Sequence, residues 1–88
     1  MRLAEKVGTG MQKALNRALD GSKMRTRYSV GWDCTNGAQV ASLSLVDEDT
    51  GRAAGSSIDV AHVPDDMAEG YGYALAHLAL ERWMAPHK

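Results

Sequence analysis

The chain has 88 residues, 44% hydrophobic and 24% charged with a net charge of −1, which points to one folded domain spanning residues 1–88, near the small end of what one core supports. Its lone cysteine, Cys34, excludes an internal disulfide and suits a reducing compartment, and nowhere is there the run of about 18 apolar residues that a membrane-spanning helix needs. So short a chain buries only about 60–65% of its unfolded surface, so a second copy or a bound partner would add usefully to its stability.

Leu3, Val7, Met11, Leu15 and Ala18 recur at helical spacing and predict an amphipathic helix over residues 2–20, with Lys6, Lys13 and Arg17 off the apolar stripe. Gly8 and Gly10 each weaken such a helix by about 1 kcal/mol relative to Ala. Its first two turns are therefore expected to fray or bend, and Gly21 supplies a stop.

Asn36-Gly37 is a strong hairpin signal, because both residues tolerate the positive φ of a type I′ turn. As a two-residue loop it sets Thr35 opposite Ala38. The register then places Trp32 opposite Ala41, Val30 opposite Leu43 and Tyr28 opposite Leu45, all on one face. Arg27, Ser29, Gly31 and Asp33 fall on the other face with Val46, Ser44, Ser42 and Val40. A four-residue second turn, Glu48-Asp49-Thr50-Gly51, pairs Asp47 with Arg52, Leu45 with Ala54, Leu43 with Ser56 and Ala41 with Ile58. A turn one residue shorter would put Gly55 and Ser57 on the core face. The strands are expected at 26–34, 38–47 and 52–61.

Val63-Pro64 ends the sheet, and Asp66-Met67-Ala68-Glu69 has the spacing of a capping box. Asp65, Asp66 and Glu69 also suit the positive end of a helix. A helix over 65–84 follows, with Ala68, Tyr71, Leu75, Leu78 and Ala79 as the stripe for the sheet. The predicted fold is α+β: helix, three-stranded antiparallel meander, helix, with one sheet face covered by helices.

The last helix has a second apolar line, Tyr73, His77, Leu80 and Met84, with Trp83 between the two lines. A surface helix should be polar there. Packing on the first helix would account for this line, and so would a homodimer or partner surface, since interfaces favour Tyr, Trp and Met. Charge is also divided: residues 1–30 carry +5 and residues 31–88 carry −6. Either the two parts neutralise each other within the fold, or the molecule is bipolar. On the bipolar reading, Lys13, Arg17, Lys23, Arg25 and Arg27 are candidates for nucleic-acid phosphates. Asp47, Glu48 and Asp49 are candidates for a basic groove on a protein partner. The plainer outcomes are a solvated basic edge and a soluble hairpin tip.

His62, His77 and His87 are isolated and there is no second cysteine, so no metal site is expected. The three acids lack the alternating spacing of a calcium loop. Cys34 adjoins Asp33, whose charge opposes a thiolate. Gly8-Thr9-Gly10 has neither the preceding strand nor the Gly-Lys-Ser/Thr ending of a phosphate loop. No catalytic residue or cofactor is expected; the chain reads as a non-enzyme.

The order helix, three strands, helix resembles the double-stranded-RNA-binding domain in topology and length. That family holds phosphates with lysines opening its second helix, whereas Pro64-Asp65-Asp66-Met67-Ala68-Glu69 stands there with the opposite sign. The stretch Ala41-Ser-Leu-Ser-Leu-Val-Asp-Glu-Asp-Thr-Gly-Arg-Ala-Ala-Gly and the Ala-rich helix ending Glu81-Arg82-Trp83 resemble parts of small phage-encoded anti-CRISPR proteins. This resemblance implies stoichiometric binding to a host CRISPR nuclease complex in the cytoplasm, without catalysis, and gives no residue a role. The expectation is a protein-binding inhibitor or adaptor. The alternative is a nucleic-acid-binding module using the basic N-terminal half.

Overall fold

The sheet takes its register from the turn at Asn36-Gly37, where φ is 56° and 80° and the Ala38 N–H donates to the Thr35 carbonyl at 3.0 Å. In this computed structural model, which describes residues 2–20 and 25–84, β1 (Thr26–Asp33), β2 (Val40–Asp47) and β3 (Ala53–Asp59) form an antiparallel sheet in the order β1-β2-β3. Tyr28, Val30 and Trp32 pair with Leu45, Leu43 and Ala41, which pair in turn with Ala54, Ser56 and Ile58, as the turn chemistry predicts. The second turn closes with the Asp47 N–H donating to the Arg52 carbonyl at 2.8 Å and the Gly51 N–H donating to the Asp47 carbonyl at 2.9 Å. The strands are shorter than expected at the first turn. Gln39 there has other work: its side-chain oxygen accepts from the Ala4 N–H at 3.0 Å and its carbonyl accepts from the Val60 N–H at 2.8 Å.

Helix α1 (Leu3–Leu19) is unbroken, so the expected fraying or bend at Gly8 and Gly10 is not found. Both glycines are points of close approach. The Trp32 ring lies over Gly8, and a Cβ on Gly10 would collide with the Glu69 carbonyl of α2 (Ala68–Met84). The contact is reciprocal, because a Cβ on Gly72 would collide with the Val7 carbonyl. What each glycine costs in propensity is offset by packing that no larger residue allows. The predicted stop at Gly21 lies outside the described residues.

Helix α2 corrects two expectations. A 3-10 turn, Asp65–Met67, leads into it without a side-chain cap, and Glu69 pairs with Lys13, so the capping box does not form. Its buried line is Ala68, Gly72, Ala76, Leu80 and Trp83, not the larger stripe assigned to the sheet. Small residues one turn apart let the α1 backbone in, so α2 packs chiefly on α1. Tyr71, Leu75 and Ala79 are left half-buried, and Leu78 is 53% exposed. Helix α1 meanwhile lies over β1 and β2, burying Val7, Met11 and Leu15 against Ala41, Leu43 and Leu45. Residues 53–57 of β3 are all exposed. Among the described residues no helix is long and apolar enough to cross a membrane.

Replacing Gly72 by Ala is expected to destabilise the protein by about 1–3 kcal/mol, since overpacking against backbone outweighs the helix preference of Ala. The same change at Gly70, where a Cβ meets open space, should stabilise by up to about 1 kcal/mol. Urea denaturation of the two variants checks the pair. Equal stability of both would contradict the helix contact.

Candidate protein-docking groove

The residues proposed from the sequence do not form one surface. Leu80 and Trp83 are 4% and 8% exposed and belong to the core, because α2 turns that side onto α1 and the sheet. Tyr73 is half-buried, bordering a shallow hollow with Arg17 and His77. The His77 Nδ1 stands 3.8 Å from Glu81, and Met84 is 56% exposed at the end of the helix.

Arg25 and Arg27 of the basic set meet Asp49 and Glu48 of the acidic one, and two further lysines pair with acids near α2. Lys6 lies 2.5 Å from Asp65, Lys13 pairs with Glu69, Arg27 pairs with Glu48, and Arg25 stands 3.8 Å from Asp49. Four ion pairs thus join the positive first part of the chain to the negative remainder. Phosphates approaching Lys13, Arg25 or Arg27 would have to displace carboxylates. Arg17 is exposed on α1, and Lys23 lies outside the described residues. Asp47 serves its own turn, its Oδ1 accepting from the Asp49 N–H at 2.9 Å.

One consequence of the helix arrangement is a groove of about 420 Å³ on the helix side of the sheet. Leu43 and Leu45 of β2 and Ala54 and Ser56 of β3 form its floor, and Ala79, Arg82 and Trp83 of α2 its wall. Arg52 closes one end. Its guanidinium stacks 3.9 Å from the Trp83 ring centroid and donates to the Trp83 carbonyl, one of the last-turn acceptors that a helix leaves open. Among the described residues no acidic side chain lines the groove.

Beside the groove runs the outer edge of β3. The bonds from Asp47 to Arg52 and from Val60 to Gln39 place the hydrogen-bonding groups of 52, 54, 56, 58 and 60 towards β2. Those of Ala53, Gly55, Ser57 and Asp59 therefore point outward. Between Arg52 and Asp59 the strand has no charge, proline or bulge of the kind that protects an edge. The sequence signal for this site was the run Ala53-Ala54-Gly55-Ser56-Ser57, too small to bring a helix down over it.

Elsewhere the chemistry is sparse. Every buried residue is apolar or glycine, and no group of three or more His, Cys, Asp or Glu is placed to hold a metal among the described residues. Cys34 is half-buried with its Sγ 3.6 Å from the Gln39 side-chain oxygen.

The fold and groove define a small α+β domain with a partly uncovered sheet. Comparison with known protein families, curated proteins and solved structures finds no match.

Two turn carboxylates should respond to acid. The Thr35 hydroxyl and N–H hold the Asp33 carboxyl below the ordinary aspartate value. The Asp49 N–H does the same for Asp47, partly opposed by desolvation and helped by Thr50 and Arg52. A depressed folded-state pKa gives stability that is complete above the unfolded value and is lost as pH falls through the folded one. Carboxyl NMR titrations should therefore place both midpoints below 3.8, and Asp47→Asn should flatten the acid limb of stability below about pH 4. Midpoints at or above the ordinary value would contradict these turns.

Proposed function

We propose that this protein is a non-enzymatic binding domain that acts as an inhibitor or adaptor by docking a protein partner in the groove between β3 and α2. The observation that carries this reading is the groove itself: an apolar floor, a basic rim and an adjoining strand edge with outward hydrogen-bonding groups. Edge strands of this kind bind by main-chain pairing, while neighbouring pockets choose the side chains. The ion pairs spanning the two charged parts favour protein docking over phosphate contact, because they occupy three of the basic residues proposed for nucleic acid. The likeness of residues 41–55 and of the Ala-rich helix to anti-CRISPR proteins adds a target, a host CRISPR nuclease complex.

Ser56→Trp fills the groove at an exposed position and should leave the melting temperature nearly unchanged. It is expected to abolish cross-linking to the partner captured by the unaltered protein, and any relief of CRISPR interference by co-expression. Undiminished capture by a folded Ser56→Trp protein would contradict the groove as the docking site.

A further inference from the structure

Resting on that reading, we infer that the groove takes an extended peptide segment laid antiparallel to β3, with the pattern apolar-x-apolar-x-acid, where x is any residue. Ala53, Gly55, Ser57 and Asp59 offer the outward backbone groups for such a strand. The side chains it needs can be read from the strand already paired with β3 on its inner side. There Leu43 faces Ser56, Leu45 faces Ala54, and Asp47 meets Arg52, an antiparallel apolar-x-apolar-x-acid segment. The small side chains of Ala54 and Ser56 leave room for large ones on either flank, and the outer flank is open.

A peptide residue opposite Ser56 or Ala54 would set its side chain on the groove floor beneath Ala79. The residue two places further on would meet Arg52 and the exposed Arg82. A carboxylate there would stand beside both guanidinium groups. A second copy of β3 complements the edge less well. Antiparallel pairing about Ser56 sets Ala54 against Ile58 and Arg52 against Val60, which supplies no acid and leaves the groove unfilled.

The test is an NMR titration of the ¹⁵N-labelled protein with the blocked peptide Thr-Leu-Thr-Leu-Thr-Glu-Thr, and with its Lys counterpart in place of Glu. The expected result is shifts confined to the amides of residues 53–59 and the Trp83 indole, with the Lys peptide about fivefold weaker or worse. Arg82→Glu, an exposed change, should reverse that preference. Gly55→Pro removes an outward N–H but no bond to β2, and should abolish binding. If that variant fails to fold, the Arg82 result decides alone.

No shifts at about 1 mM peptide, shifts mapped elsewhere, or equal affinity for both peptides would overturn the inference. So would a dimer that excludes the peptide and dissociates on Arg82→Glu. If the peptides fail while Ser56→Trp still abolishes partner capture, the docking reading stands and the strand pattern falls. If Ser56→Trp also captures normally, both fall.

Discussion

The arrangement depends on one steric fact: α1 and α2 touch backbone to backbone at Gly10 and Gly72. Interiors reward close packing, and a helix pair approaching over small residues gains dispersion contacts along its whole length. Ala68 and Ala76 extend the line on α2, while Ala14 and Val7 serve it from α1. This contact holds α2 to α1 and leaves only its C-terminal end to reach the sheet. The Arg52 stack on Trp83 fastens that end.

The rest of the molecule follows from the choice. Helix α1 lies over β1 and β2, with the Trp32 ring against Gly8 and Gln39 tying the start of the helix to both later strands. Residues 53–57 of β3 carry only Ala, Gly and Ser and are exposed, with no helix laid over them among the described residues. A larger residue at Ala54 or Ser56 would fill the space beneath α2, and one at Gly72 would push the helix off α1. The groove therefore comes from two sets of small residues, one making the helix contact and one making the hollow beside it. Charge plays a secondary part: the ion pairs between the two oppositely charged parts are exposed and add little individually, but they leave Arg82 as a cation beside an apolar floor.

Much of the fold was legible because its signals are local. Asn36-Gly37 fixes a loop length, period two fixes the faces, and the pairing of every β1 and β2 residue follows. Neutralisation of the charge halves was one of two readings that composition allowed, and the ion pairs of Lys6, Lys13, Arg25 and Arg27 are its physical form. The orientation of α2 was not legible from apolar size. Tyr71, Leu75 and Leu78 outrank Gly72 and Ala76 on any scale of side-chain hydrophobicity, yet a helix interface selects for close approach as well as for area. Packing on the first helix was one of the two readings of the second apolar line, and the burial of Leu80 follows it. On the other reading Leu80 and Trp83 looked available because the stripe beside them looked buried, and β3 looked covered for the same reason.

With α2 held on α1, the outer edge of β3 is expected to stay open in the isolated protein. Native-state hydrogen exchange at β3 tests it most directly. The expected result is an alternation, with the amides of Ala54, Ser56 and Ile58 slow and those of Ala53, Gly55, Ser57 and Asp59 fast, unchanged on dilution. Uniformly slow exchange along the strand would contradict it, since that would mean the edge is already covered.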